Sequence, residues 1–240
     1  MPCPGLTLTD AQFTYNIILR IGQYDDSHFA DNERKCCLHT LTHPRHAITP
    51  THSRLCPLAT DKAKYKRHDA MKYSIYNTLR HLPGALVHVE PRPIERRGAT
   101  LPDITVFFEN KFYALDVTVA EANAPSYDPF VQARHSFVRR MENVKQISYV
   151  PYMARIADRF PVRELVPVAV TTGGEIGPAA LKFFKVLSGK GVSVSWLQRR
   201  LAVLAAMNVF DTHAWYAHRC TLAFNARLGG AAVDFEHGDY

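Results

Sequence analysis

The stretch from Leu101 to Ala120 constrains the fold most: two apolar, β-branched-rich runs, ITVFF and FYALDVTVA, are separated only by Glu109-Asn110-Lys111. Short runs of this composition joined by so tight a turn read as a β-hairpin. Two aspartates mark its open end, Asp103 just before the first strand and Asp116 within the second, with twelve residues between them. Side chains alternate along a strand, so Asp116 shares a face with Phe112, Ala114, Thr118 and Ala120. A two-residue Asn110-Lys111 turn would set Asp103 opposite Thr118 and one diagonal step from Asp116, on that same face. Two carboxylates gathered on an apolar sheet repel unless a cation lies between them, and a hard divalent ion such as Mg²⁺ answers that need. The alternative is a pair of solvated strand-end aspartates.

Elsewhere the periodicity changes. Residues 8–22 pattern as a short amphipathic helix, with Thr9 and Gln12 as a capping box and Gly22 as its stop. Residues 23–60 hold three cysteines, five histidines and three prolines with little periodicity, which suggests a loop-rich knot. A helix resumes from Asp61 to about Leu82, carrying Met71, Ile75, Leu79 and Leu82 at helical spacing and ending at Pro83-Gly84. ALVHVE then alternates as a strand, and PRPIERRGAT is a basic, turn-rich link to the hairpin. Beyond Ala124-Pro125, residues 128–147 read as a basic crossover helix, and 166–172 (VPVAVTT) as a buried parallel strand. A further helix opens at Gly177-Pro178 and runs through Leu187. Two more helices are expected within 192–226, before a Gly-rich tail. Thr171-Thr172-Gly173-Gly174 lacks the lysine and spacing of a phosphate-binding loop and reads as a strand-to-helix turn. The histidines of the knot lie among prolines, and none is followed by the glutamate of an HExxH enzyme.

The expected fold is α/β, a small mixed sheet flanked by helices. It divides into residues 1–60 (N-terminal helix and Cys/His segment), 61–190 (the core) and 191–240 (C-terminal helices and tail). A formal charge of +7 favours an anionic partner, nucleic acid above all. The five cysteines are odd in number and mostly crowded into one segment, unlike a secreted disulfide framework. No apolar stretch reaches the roughly 18 residues needed to span a bilayer, and no signal peptide opens the chain. The expected location is nuclear or otherwise intracellular.

Taken in order, a set of short motifs resembles the restriction-enzyme-like endonuclease domain of non-LTR retrotransposons, within the PD-(D/E)xK nuclease superfamily. The motifs are Leu19-Arg20-Ile21-Gly22, His52-Ser53-Arg54-Leu55-Cys56, Arg67-His68-Asp69, Val89-Glu90-Pro91, Leu101-Pro102-Asp103, Leu115-Asp116-Val117-Thr118, Lys145 and Gly174-Glu175-Ile176-Gly177-Pro178-Ala179, covering about residues 8–190. The resemblance implies a restriction-endonuclease-like core and Mg²⁺- or Mn²⁺-dependent hydrolysis of DNA phosphodiesters. Asp103 and Asp116, with Glu90 as a third carboxylate or a mere polar strand end, would hold the metal. In many superfamily members a lysine stands two residues after the second acid. Thr118 occupies that position here, so the role passes to Lys145, the only lysine of the crossover helix, unless that lysine is simply solvated.

Lys64, Lys66, Arg67, His68, Arg139 and Arg140 would contact nucleic acid, or form solvated charged faces. For the Cys/His segment the resemblance implies a zinc knuckle. Adjacent Cys36 and Cys37 chelate one ion with strain, so the expected set is one of them with His52, Cys56 and a fourth ligand from His39, His43 or His46. A degenerate knuckle with free thiols is the other reading. The family nicks target DNA to prime reverse transcription, which implies DNA, element RNA and a reverse transcriptase domain as partners. The sequence leaves open a catalytically inactive nucleic-acid-binding remnant, and a stand-alone repair or recombination nuclease of the same superfamily.

Overall fold

The computed structural model describes Leu8 and residues 57–90, 101–120 and 134–207, with side chains placed at 8, 65–90, 101–120 and 137–207. The expected helix at 8–22, the Cys/His segment and the tail therefore lie outside the described residues. Helix α1 (Pro57–Leu79) is followed by the strands β1 (Leu86–Val89), β2 (Ile104–Phe108) and β3 (Lys111–Ala120). Helices α2 (Arg134–Ser148) and α3 (Val150–Arg155) come next, then β4 (Arg163–Thr171) and α4 (Pro178–Ser188). A last helix, α5, covers 194–207. The strands form one sheet in the order β1-β2-β3-β4. The first three pair antiparallel, and β4 lies parallel to β3. The molecule is thus mixed α/β, a small four-stranded mixed sheet flanked by helices.

Helix α1 starts earlier than the periodicity predicts. Pro57 suits a first helical turn, where its missing N–H would have had no partner. Its exit matches expectation: Gly84 takes φ +75°, a conformation glycine adopts without the Cβ penalty. The stripe Met71, Ile75, Leu79 and Leu82 is buried against the sheet as its spacing requires. Truncating any one of the first three to alanine would cost about 2–5 kcal/mol.

The hairpin forms, with a one-residue correction. Phe108 pairs with Lys111, so the loop is Glu109-Asn110 rather than Asn110-Lys111. Both loop residues have positive φ, +48° and +59°, the backbone of the turn type that matches strand twist. Asparagine tolerates that region and glutamate does not favour it, which is why composition alone misplaces the loop. Ile104 consequently faces Leu115. Extending the ladder by one pair sets Asp103 directly opposite Asp116, not diagonal to it.

The two faces of the sheet are packed differently. One carries alternating large residues such as Val106, Leu115 and Val168, buried with α1, α4 and α5. The other carries small ones: Ala120 and Ala169 meet Phe137 and Val138 of α2. Small residues let α2 lie close to the face that bears Asp116. Strand β4 begins at Arg163, three residues before the apolar run suggests, because Arg163 spends its guanidinium on the carbonyls of Met153, Phe160 and Pro161. Helix α3 was not expected; Pro151 fits its first turn and does not break the chain there. After β4 the segment at 171–174 turns back, Gly174 adopting φ +82°, and leads into α4 as a strand-to-helix turn.

Candidate active site

A cavity of about 500 Å³ opens where α1, the ends of β1 and β2, the middle of β3 and the end of α2 meet. Its lining includes Arg67, His68, Lys72, Glu90, Asp103, Asp116 and Lys145. The four residues expected to be catalytic, drawn from two strand ends, the middle of a third strand and a helix, therefore converge on one space, and Arg67 and His68 join them.

Asp116 is the buried centre. Its Oδ2 lies 2.8 Å from Lys145 Nζ and accepts a 3.3 Å hydrogen bond from Thr118 Oγ1. Its Oδ1 accepts a 2.5 Å bond from the Tyr149 hydroxyl, which also lies 2.6 Å from the Leu101 carbonyl. Burial first, and then the neighbouring Asp116 charge, push the Tyr149 phenol far above its ordinary pKa, so it remains a donor. Tyr149 follows α2 directly and its N–H still bonds the Lys145 carbonyl at 3.0 Å, so the two residues, four apart, share one face and hold the two oxygens of one carboxylate.

Asp103 is held differently. Its Oδ2 accepts the Val117 N–H at 2.7 Å and lies 3.1 Å from His68 Nε2. The His68 imidazole is raised above its usual pKa by that hydrogen bond, against the opposing effect of burial, with Asp103's charge adding to it. Glu90 closes β1 at φ +46°, a strained conformation for a glutamate, while its N–H continues the ladder to the Asp103 carbonyl at 2.8 Å. Its carboxylate is engaged by Lys72, which also donates to Asp69 at 2.8 Å. Burial pulls the Lys72 ammonium down, but the hydrogen bonds to Asp69 and Glu90 outweigh it and hold the pKa above the ordinary value. The same bond to Lys72 holds Asp69 below the usual carboxylate range, against the effect of its partial burial.

Arg139 and Arg140 are exposed on α2 and do not line the cavity, and Lys66 is exposed on α1. Lys64 lies on α1 with its side chain outside the described set, and Cys36, Cys37, His52 and Cys56 lie wholly outside it. Among the described residues no three His, Cys, Asp or Glu side chains cluster closely enough to share a metal ion. Two facing carboxylates nevertheless suit Mg²⁺, which commonly takes one or two protein carboxylates and completes its shell with water and substrate phosphate. Asp103 and Asp116 are thus the donors that fit; Glu90 is turned to Lys72.

Sequence reasoning missed Lys72 and Tyr149. Lys72 sits beside Met71 and three residues before Ile75, so a lysine at the edge of the apolar stripe was its signal. Tyr149 was hidden because the helix was expected to end at 147, although it falls four residues after Lys145.

In comparisons with known proteins the chain matches no family model, and no curated protein matches it significantly. No helix among the described residues is long and apolar enough to cross a membrane.

Proposed function

We propose that this chain is a metal-dependent DNA endonuclease with a restriction-endonuclease-like core, of the type carried by non-LTR retrotransposons. One observation carries the reading: two aspartates face each other across adjacent strands while a lysine from the crossover helix reaches 2.8 Å from one of them, in a cavity open to solvent. The element order, a helix, three antiparallel strands, a helical crossover and a parallel strand, agrees with such a core.

Asp103 and Asp116 would hold Mg²⁺ or Mn²⁺. When bound, the metal supplies a polarised phosphate and a water acidic enough to attack it. The protein's own groups do the rest. Tyr149 fixes Asp116 by donating to Oδ1, which leaves Oδ2 facing Lys145. The Lys145 ammonium, 2.8 Å from Asp116 Oδ2, would orient the attacking water and offset negative charge developing on the phosphate. Thr118 supplies a hydroxyl to Asp116 where many superfamily members carry the lysine. Arg67 and His68 flank the cavity as contacts for the phosphate backbone. A structural Zn²⁺ on Cys36 or Cys37, His52 and Cys56, and a reverse transcriptase as functional partner, belong to the same proposal.

Purified protein should nick supercoiled plasmid in Mg²⁺ or Mn²⁺. Asp116→Ala should reduce nicking by at least about 10³-fold while DNA binding in a gel-shift assay persists. Undiminished nicking by that variant would remove the site from consideration. Binding by the wild type with no cleavage in either metal would favour the inactive nucleic-acid-binding remnant.

A further inference from the structure

The helix that carries Lys145 is anchored by a buried carboxylate of its own. Glu142 lies on α2 three residues before Lys145 and seven before Tyr149, so all three project from one helical face. Its side chain is buried, with Oε1 accepting the Ala179 N–H at 2.9 Å. Ala179 is the second residue of α4, and the residue preceding that helix, Gly177, provides no side-chain cap. The first turn of a helix exposes unpaired N–H groups and a partial positive charge, which a carboxylate from another element satisfies here. The approach is so close that a Cβ on Gly177 would overlap Glu142 Oε1, and would come within 2.7 Å of its Cδ and 2.9 Å of Val138 Cγ1. Gly177 is therefore required by the carboxylate packed against it, and not by its own backbone, which is extended.

We propose that the Glu142–Gly177–Ala179 contact is a positioning device for the reaction: it fixes the rotation and axial placement of α2 so that Lys145 and Tyr149 meet the two oxygens of Asp116. Its catalytic consequence rests on the nuclease reading above; its mechanical part does not. Glu142 touches no reacting atom and acts only through the two residues beyond it. The contact also gives Gly177-Pro178 a purpose, since proline starts α4 and glycine admits the carboxylate.

Six proteins test this: wild type, Glu142→Gln, Glu142→Ala, Gly177→Ala, Lys145→Ala and the Lys145→Ala/Glu142→Ala double variant. Glutamine keeps the Oε1 acceptor, so it should leave kcat within about threefold of wild type and leave amide exchange across 142–153 unchanged. Glu142→Ala and Gly177→Ala should speed exchange in that segment and lower kcat by about tenfold or more, with KM for DNA unchanged. In a Lys145→Ala background, Glu142→Ala should add less than about twofold, because the residue it positions is gone. Equal losses in both backgrounds would overturn the proposal, as would unaltered exchange in Glu142→Ala, or acceleration spread evenly over α1 and the sheet. If the wild type does not cleave DNA, the nuclease reading falls alone; the exchange comparison still decides whether the anchor exists.

Discussion

Lys72 and Lys145 reach the same cavity from different helices, and their surroundings differ in kind. The Lys72 side chain is 3 % exposed and is held by two carboxylates, Asp69 and Glu90. That of Lys145 is 29 % exposed and faces one, Asp116, whose other oxygen is already fixed by Tyr149. A cation enclosed by two acids is committed to the architecture. A cation that shares one acid with a candidate metal site can be released when that acid turns elsewhere. Two lysines with the same chemistry thus divide into one committed to the architecture and one available for the proposed chemistry, through burial and the number of their partners.

Several substitutions would break or sharpen that division. The largest effect is expected at Lys145: alanine there should lower kcat for nicking by about 10²–10³-fold, yet change denaturant stability by less than about 1 kcal/mol, because the pair is part-exposed. Lys72→Met should do the reverse, costing about 2 kcal/mol in urea denaturation while leaving kcat within about fivefold. That cost sits below the usual penalty for a broken buried pair because Asp69 and Glu90 can turn to water. If instead Lys72→Met abolished nicking and Lys145→Ala unfolded the chain, the two assignments would have to be exchanged.

The smallest effect concerns pH. The folded pKa of His68 is raised, so its contribution to stability is complete below about pH 6.5, the unfolded value, and is lost as pH rises through the folded pKa. In chelator-treated protein, stability should fall over that interval by under about 1 kcal/mol, and His68→Asn should flatten the slope. A slope unchanged in that variant would assign the titration to another group.

Much of this was written in the sequence where period and composition agreed. The apolar alternation of β2 and β3, the Met71-Ile75-Leu79 stripe and the continuous run of β4 each point to the type of element found there, with only its ends and the hairpin loop displaced. The site was legible to the same depth: the hairpin period put Asp103 and Asp116 on one face, and the misplaced loop shifted the pairing by two residues, which preserves the face. What stayed hidden depended on tertiary contacts. Glu109 at positive φ is a poor turn residue by local propensity, and its ion pair with Lys190, distant in sequence, is absent from any local window. Lys72 looked like one more basic residue on a basic helix until Glu90 was brought beside it. Glu142 could not be paired with Ala179 without knowing how the crossover helix lies on β4.

Pro167 of β4 stands at the register position of Asp116 on the neighbouring strand. Within a sheet, proline is accommodated on an outer strand with its nitrogen turned away from the neighbour, and among the described residues β4 is the outer strand on that side. The flank of the sheet nearest the aspartate therefore lacks a donor at its midpoint. An incoming β-strand, from a second copy or an unfolded chain, would find a gap in the ladder there. The proline weakens that edge as a template for pairing beside the residue on which the proposed chemistry depends, without adding a charge next to the proposed metal site.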